Sequence, residues 1–125
     1  MKFNLEERLI KYSASVHEVV DLLHATKGGL YLGNQLVASG TAPALLYGEA
    51  LGAESRRDFI HKMKLSLKEL RESLISLKII KLKSYVADIQ KVDELLVENN
   101  ELISIFVKSI QTAKDNLKRE LRMGK

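Results

Sequence analysis

Apolar residues recur at alternating steps of three and four along most of the chain, which is the spacing of one face of an α-helix. The pattern predicts four helices, over about residues 5–25, 30–50, 55–82 and 88–121. Short connections between such helices favour antiparallel neighbours. The sequence therefore predicts an all-α fold with a single domain over residues 1–125, an up-down-up-down antiparallel four-helix bundle.

The third segment carries the longest run of this pattern, SRRDFIHKMKLSLKELRESLISLKII over residues 55–80. Ser55 stands where an N-cap belongs, and Asp58 three residues later resembles a capping box. The core-facing row is predicted to consist of Ile60, Met63, Leu67, Leu70, Leu74 and Leu77. Four further apolar residues fall outside this row and are expected at a subunit interface: Leu65, Ile75, Ile79 and Leu82.

The second segment contains no charged residue between positions 28 and 48. A helix that is uncharged on every face lies either in a membrane or between more than one protein surface. Asn34, Gln35 and five glycines make the membrane alternative the weaker one. We expect one face to pack in the bundle and another against a neighbouring subunit, and we expect Pro43 to kink or interrupt the helix.

One polar residue, Asn99, lies in the otherwise apolar row of the fourth segment. A single buried asparagine in such a row commonly determines the register of the helices or the choice of partner, at some cost in stability. We expect Asn99 to have that role.

The composition excludes several classes of site. The chain has no cysteine, so it forms neither disulfides nor thiolate metal sites. Its N-terminal residues include no uncharged stretch of the kind a signal peptide needs, which together with the lack of cysteine leads us to expect a cytoplasmic protein. The net charge of +4 is concentrated in the third segment, where basic residues greatly outnumber Asp58, Glu69 and Glu72.

Part of this positive charge forms a row on one face of the third helix. We call this row the basic stripe, and it consists of Arg57, His61, Lys64, Lys68, Arg71 and Lys78. Such a row attracts polyanions, so it predicts contact with RNA or DNA; the alternative is a solvated helix face without a ligand. Because no aromatic residue is interleaved within the stripe, phosphate contacts are predicted in preference to base stacking.

Metal and catalytic sites are disfavoured. Asp21 and His24, like Asp58 and His61, have the three-residue spacing of helical di-iron sites, but the topology places these pairs at opposite ends of the bundle. His17 shares an outer face with the first pair and offers at most weak metal binding. No catalytic motif or phosphate-binding loop is present, so we expect no enzyme activity, no metal and no cofactor.

Residues 39–73, SGTAPALLYGEALGAESRRDFIHKMKLSLKELRES, resemble the four-helix-bundle proteins encoded in intervening sequences of bacterial 23S ribosomal RNA genes. The shared pattern is S-x-T, N-Y-x-E-A, S-x-x-D/E-F-I-x-K and L-K-E-x-x-E. This chain departs from it at Leu46, where the family has asparagine, and at Ser76, where an aromatic residue is usual. The matching residues are Ser39, Thr41, Tyr47, Glu49, Ala50, Ser55, Asp58, Phe59, Ile60, Lys62, Leu67, Lys68, Glu69 and Glu72.

This resemblance implies a homo-oligomer, typically a ring of five bundles, with no known catalytic activity. Related proteins are accessory subunits of diversity-generating retroelements, which bind nucleic acid and a reverse transcriptase through basic surface. Structural roles are expected for the motif residues Tyr47, Glu49, Ser55, Phe59, Lys62, Glu69 and Glu72. Glu49, Glu69 and Glu72 are expected to pair with Arg56, Arg57 or Lys62 where the second and third helices meet; the alternative is an exposed i, i+3 or i, i+4 pair such as Lys68 with Glu72. Two hypotheses follow: a nucleic-acid-binding oligomer, or a protein–protein interaction scaffold without nucleic-acid binding.

Overall fold

The computed structural model describes residues 4–124, which form four helices and no strand. The helices are α1 (Leu5–Leu22), α2 (Lys27–Leu51), α3 (Arg56–Lys83) and α4 (Ile89–Arg122). The predicted all-α four-helix bundle is confirmed. The largest differences from the predicted bounds lie at the first connection, where α1 ends at residue 22 instead of 25 and α2 begins at 27 instead of 30.

Ion pairs at the two ends of α3 and α4 show that these helices run in opposite directions. Arg56, at the start of α3, binds Glu120 near the end of α4. Lys81, near the end of α3, binds Asp93 near the start of α4. The other neighbouring pairs show the same reversal, and each helix packs against two others, so the topology is up-down-up-down.

Side-chain caps determine where the helices begin. The Oγ of Ser55 accepts a hydrogen bond from the backbone N–H of Asp58 at 3.0 Å, as predicted. The Asp58 carboxylate reaches back to the N–H of Glu54 at 3.4 Å. Asn4, Thr26 and Asp88 cap the other three helices in the same way. These bonds satisfy backbone donors that have no partner inside the helix.

The row of α3 that faces the core differs from the predicted one. Ser66 and Ser73 are buried where Leu67 and Leu74 were predicted, and the two leucines are only half-buried. A buried hydroxyl needs a hydrogen bond, and Ser66 Oγ donates to the carbonyl of Pro43 on α2 at 3.0 Å. The small serines therefore occupy the positions where the neighbouring helices approach α3, and the leucines flank the contact.

Helix α2 is continuous through Pro43, so of the two predicted effects the interruption is wrong, and the kink stays a prediction. Proline has no N–H to offer the carbonyl of Ser39, but its own carbonyl gains the bond from Ser66. The backbones of α1 and α2 lie close together around Gly40, since a Cβ built there would lie 2.7 Å from Cγ1 of Val16 on α1. Glycine at this position lets the two helix backbones approach each other.

No helix within residues 4–124 is long and apolar enough to cross a membrane, and this includes α2, whose residues 28–48 are uncharged. One side of α2 packs in the bundle. The other side exposes large apolar side chains, namely Leu30, Tyr31 and Leu45. The second interface expected for this helix remains a prediction.

Candidate nucleic-acid interface

All six residues of the basic stripe are exposed and lie along the outer face of α3, between α2 and α4. From Arg57 to Lys78 the stripe covers about 31 Å of helix at 1.5 Å per residue. The exposed face is not purely basic, because Ile75 and Leu82 continue the same row at helical spacing. The C-terminal half of the stripe is therefore amphipathic.

Three of the four basic residues of α3 that lie off the stripe are paired with acids of neighbouring helices, whereas Lys83 at the end of the helix forms no salt bridge within residues 4–124. Arg56 binds Glu120 at 2.7 Å, and Lys62 binds Glu49 at 2.6 Å. Each hydrogen bond raises the pKa of the base, and Arg56 lowers the pKa of the Glu120 carboxyl. Lys81 is paired in the same manner, with Asp93. Of the pairings predicted for Glu49, Glu69 and Glu72, the one between Glu49 and Lys62 is present.

The stripe residues differ in this respect. Within residues 4–124, none of the six forms a salt bridge or a side-chain hydrogen bond. The i, i+4 pair of Lys68 and Glu72 considered for this face is not formed. The structure therefore separates two sets of cations on one helix: those neutralised by protein carboxylates and those left to solvent and counterions.

The two acids nearest the stripe are not equivalent. Glu69 is half-buried, and its pKa is raised chiefly by burial, then by repulsion from Glu72, with a smaller opposing effect of Lys68. Glu72 is exposed and lies beside the stripe. Neither carboxylate pairs with a base in the part of the chain that the structure describes. Glu72 is the acid that a ligand on this face would encounter.

A groove of about 710 Å³ runs between α2 and α3 beside the middle of the stripe. We call it the α2–α3 groove. Its exposed apolar surface comes mainly from Tyr31 and Ile75, which are 63 % and 56 % exposed. Lys64, Lys68 and Arg71 also line it. The remaining lining residues are Leu32, Gln35, Leu67, Glu72 and Ser76.

Toward the N-terminus of α3 a second, smaller depression of about 310 Å³ separates α3 from α4. Arg57, His61 and Lys64 line it together with Lys114 of α4. Lys114 therefore extends the positive surface onto a second helix. Sequence periodicity did not assign Lys114 or Tyr31 to the site, because each lies on a different helix from the stripe and only the packing brings them to it.

The remaining motif residues have structural positions. The ring of Tyr47 packs edge-on against Phe106, with centroids 6.1 Å apart and an interplanar angle of 70°, and burial raises the pKa of its phenol. Phe59 is partly buried against the core. Both side chains join the helix pair of the motif to the rest of the bundle.

The histidines are dispersed. His17 Nε2 lies 2.8 Å from the Thr41 hydroxyl, which links α1 to α2. The backbone N–H of His24 donates to the carbonyl of Tyr85 just beyond the end of α3, whereas His61 lies near the start of α3. Among residues 4–124, no three His, Cys, Asp or Glu side chains come together as a metal site.

Comparison with known proteins finds a similar fold among the solved structures. No protein-family model matches the chain, and no curated protein matches it. The chain is similar to the crystal structure of a protein of unknown function from the S23 ribosomal protein family of Bacteroides thetaiotaomicron, with a TM-score of 0.78. The match covers 86 % of this chain and 98 % of that one at 20 % sequence identity, so the likeness concerns the fold.

Proposed function

We propose that this protein is a non-enzymatic, cytoplasmic subunit of a homo-oligomer that binds nucleic acid through the basic stripe of α3. The observation that carries this proposal is the contrast in ion pairing. Arg56, Lys62 and Lys81 are neutralised by acids of other helices, while the stripe cations have no such partner within residues 4–124. A row of unpaired cations about 31 Å long is suited to a polyanion.

Assembly would multiply the effect of one stripe. Leu30 of α2 and Ile79 and Leu82 of α3, which are exposed and do not line the α2–α3 groove, support an oligomer, and the family resemblance implies a ring of five. On a ring each subunit repeats the stripe, so weak contacts with phosphates add through multivalency. RNA and DNA are both ligands to test, and the retroelement resemblance makes a reverse transcriptase the protein partner to test with them.

The test is a salt series on two matched triple variants. The first replaces the stripe residues Lys64, Lys68 and Arg71 by glutamine. The control replaces the paired residues Arg56, Lys62 and Lys81 by glutamine, which removes the same charge from the same helix. Binding of a structured RNA and of a duplex DNA is measured for both variants and the wild type from 50 to 200 mM salt.

We expect the salt dependence of binding to weaken in the stripe variant and not in the control. Each phosphate that the protein neutralises releases counterions, so the loss of three contacts lowers the slope of log binding constant against log salt concentration by about 2–3. Equal losses in both variants would contradict the assignment to the stripe. Unchanged binding in the stripe variant would direct attention to the end of α4, where Lys118, Arg119 and Arg122 lie.

A protein-binding scaffold is the second candidate, and the α2–α3 groove favours it. Exposed Tyr31 and Ile75 beside a half-buried Leu67 form the kind of apolar surface that binds another protein. If the wild type binds neither nucleic acid at 50 mM salt, the scaffold becomes the preferred function.

A further inference from the structure

We infer that the α2–α3 groove binds unpaired nucleotides, with a base stacked on Tyr31 and the adjoining phosphates held by Lys64, Lys68 and Arg71. This inference rests on the proposed function and narrows it from nucleic acid in general to single-stranded segments. Its physical basis is the combination of an available aromatic face with unpaired cations in one groove.

The aromatic ring comes from outside α3. The stripe itself contains no aromatic residue, which led to the expectation of phosphate contacts without stacking. Tyr31 of α2 lines the same groove as the central stripe cations, and its side chain is 63 % exposed. In the part of the chain that the structure describes, Tyr31 neither hydrogen-bonds through its hydroxyl nor packs against another aromatic ring. Most of Tyr31 is therefore accessible to a ligand in the groove.

This arrangement discriminates between single strands and duplexes. In a duplex the base faces are covered by their neighbours in the stack, so a tyrosine ring meets only base edges or the backbone. In a single strand the base face is accessible and stacks on an aromatic side chain. Phosphate contacts to the lysines add affinity for single strands and duplexes alike, whereas Tyr31 adds affinity only for single strands.

An acidic amphipathic helix from a partner protein would also find cations here, but the shape of the apolar surface favours nucleic acid. Helix-in-groove binding needs apolar anchor sites repeated over several turns. The α3 residues that line the apolar part of the groove lie between Leu67 and Ile75, about 12 Å of helix. Exposed Ile79 and Leu82 further along α3 do not line it. The stripe cations extend beyond this segment in both directions, to Arg57 and Lys78, as a long polyanion requires.

Substitutions of Tyr31 provide the first test. Binding of a 20-nucleotide RNA strand, and of the same strand annealed to its complement, is measured at constant low salt. We expect Tyr31→Leu to weaken single-strand binding about tenfold and to leave duplex binding unchanged, since leucine keeps the apolar bulk but has no stacking face. Tyr31→Phe retains the ring and should bind both forms like the wild type. Equal single-strand affinity of Tyr31→Leu and wild type overturns the inference.

Fluorescence provides the second test, because the chain has no tryptophan. In a Tyr31→Trp variant the single indole reports directly on the groove, and stacking of a base on it should quench its emission. Leu45→Trp is the control, because Leu45 is 65 % exposed on the same helix and does not line the groove. We expect the RNA strand to quench Tyr31→Trp and not Leu45→Trp.

The outcomes separate the inference from the proposed function. If RNA strand and duplex bind equally and neither depends on Tyr31, nucleic-acid binding stands and the stacking site is wrong. If the wild type binds neither form, both are wrong. If an acidic amphipathic peptide quenches Tyr31→Trp and RNA does not, the groove is a protein-docking site.

Discussion

Asn99 is the residue at which three helices meet through polar atoms. Its side chain is fully buried, and Nδ2 donates to the hydroxyl of Tyr12 on α1 at 2.7 Å and to the carbonyl of Leu70 on α3 at 3.1 Å. Ser73 Oγ lies 3.4 Å from the same nitrogen. Within residues 4–124, Oδ1 of Asn99 has no hydrogen-bond partner. We call Tyr12, Ser73 and Asn99 the polar layer, and the register role expected of Asn99 from the sequence stays a prediction.

A double-mutant cycle tests the energetics of the polar layer. Tyr12→Phe should lower the free energy of unfolding by about 1–2 kcal/mol, because it removes the closest acceptor of a buried N–H. Adding Asn99→Leu should recover part of this loss, since no polar group is then left without its partner. Urea denaturation of the four proteins measures the coupling. Strict additivity of the two single effects would contradict a direct interaction.

The same tyrosine makes stability depend on alkaline pH. Burial raises the pKa of the Tyr12 phenol, and hydrogen bonds with Ser73 and Asn99 only partly oppose this. The folded protein therefore keeps the proton to higher pH than the unfolded chain. The stability that the buried, protonated phenol contributes is fully present below about pH 10, the pKa of a tyrosine in the unfolded chain. It is lost as the pH rises above that value.

The Tyr12→Phe variant has no phenol at this position, so it does not lose stability in this way at alkaline pH. The difference in unfolding free energy between wild type and variant should narrow when urea denaturation is repeated at pH 8, 10 and 11. All other ionisable groups are the same in the two proteins, so their contributions cancel in the difference. A gap that stays constant over this range would mean that the phenol is ionised as easily in the folded state as in the unfolded one.

At the scale of helices, period and capping residues were sufficient to predict four helices and their direction, but they did not identify the buried row of α3. Leucines occur on both sides of that helix, so hydrophobicity alone does not decide which side faces inward. Ser66 is buried because its hydroxyl meets the carbonyl of Pro43, 23 residues earlier in the sequence. A contact of this kind belongs to the packing of two helices and has no local signal.

Two glycines of α2 offer a matched comparison of packing and helix propensity. Gly40→Ala should be destabilising, because the new Cβ would lie within 3 Å of both γ-carbons of Val16, and overpacking of this kind costs about 1–3 kcal/mol. Gly48→Ala should be stabilising by about 0.5–1 kcal/mol, because nothing lies within 4 Å of the added methyl group.

Thermal and urea denaturation measure both effects. A Val16→Ala change should relieve the Gly40→Ala variant if the clash is the cause. If Gly40→Ala instead gains stability like Gly48→Ala, α1 and α2 are not in close contact at this point.

The candidate site shows the same division between local and non-local information. Helical spacing alone placed all six stripe residues on one face, and each is exposed in the structure. Their lack of protein partners could not be predicted, because Arg56 and Arg57 are neighbours in sequence and only Arg56 reaches Glu120. Tyr31 and the groove were not predictable for a similar reason, since they depend on how α2 lies against α3.

For the whole molecule, Ala38 makes a selective test of assembly. From the sequence, a charge at this position could disrupt either the core or a subunit interface. The structure shows Ala38 exposed on α2, so a glutamate there leaves the core of the single bundle intact. We expect Ala38→Glu to lower the oligomer mass measured by light scattering without loss of helical circular dichroism.

Ala14→Glu is the control for that experiment, because Ala14 is equally exposed but lies on α1. It should leave the mass unchanged. An Ala38→Glu variant with the same oligomer mass as the wild type would exclude the outer face of α2 from the subunit interface. A wild-type protein that is monomeric at micromolar concentration would exclude the oligomer altogether.

The contact between α1 and α4 also has a consequence for the order of folding. Tyr12 and Asn99 are 87 residues apart, and Arg8 binds Glu98 across 90 residues, whereas the other neighbouring helices are joined by short connections. Closing so long a loop costs entropy that three local hairpins do not require. We therefore expect Tyr12→Phe to accelerate unfolding in stopped-flow experiments and to leave the refolding rate nearly unchanged. A slower refolding rate would mean instead that the first and last helices meet before the transition state.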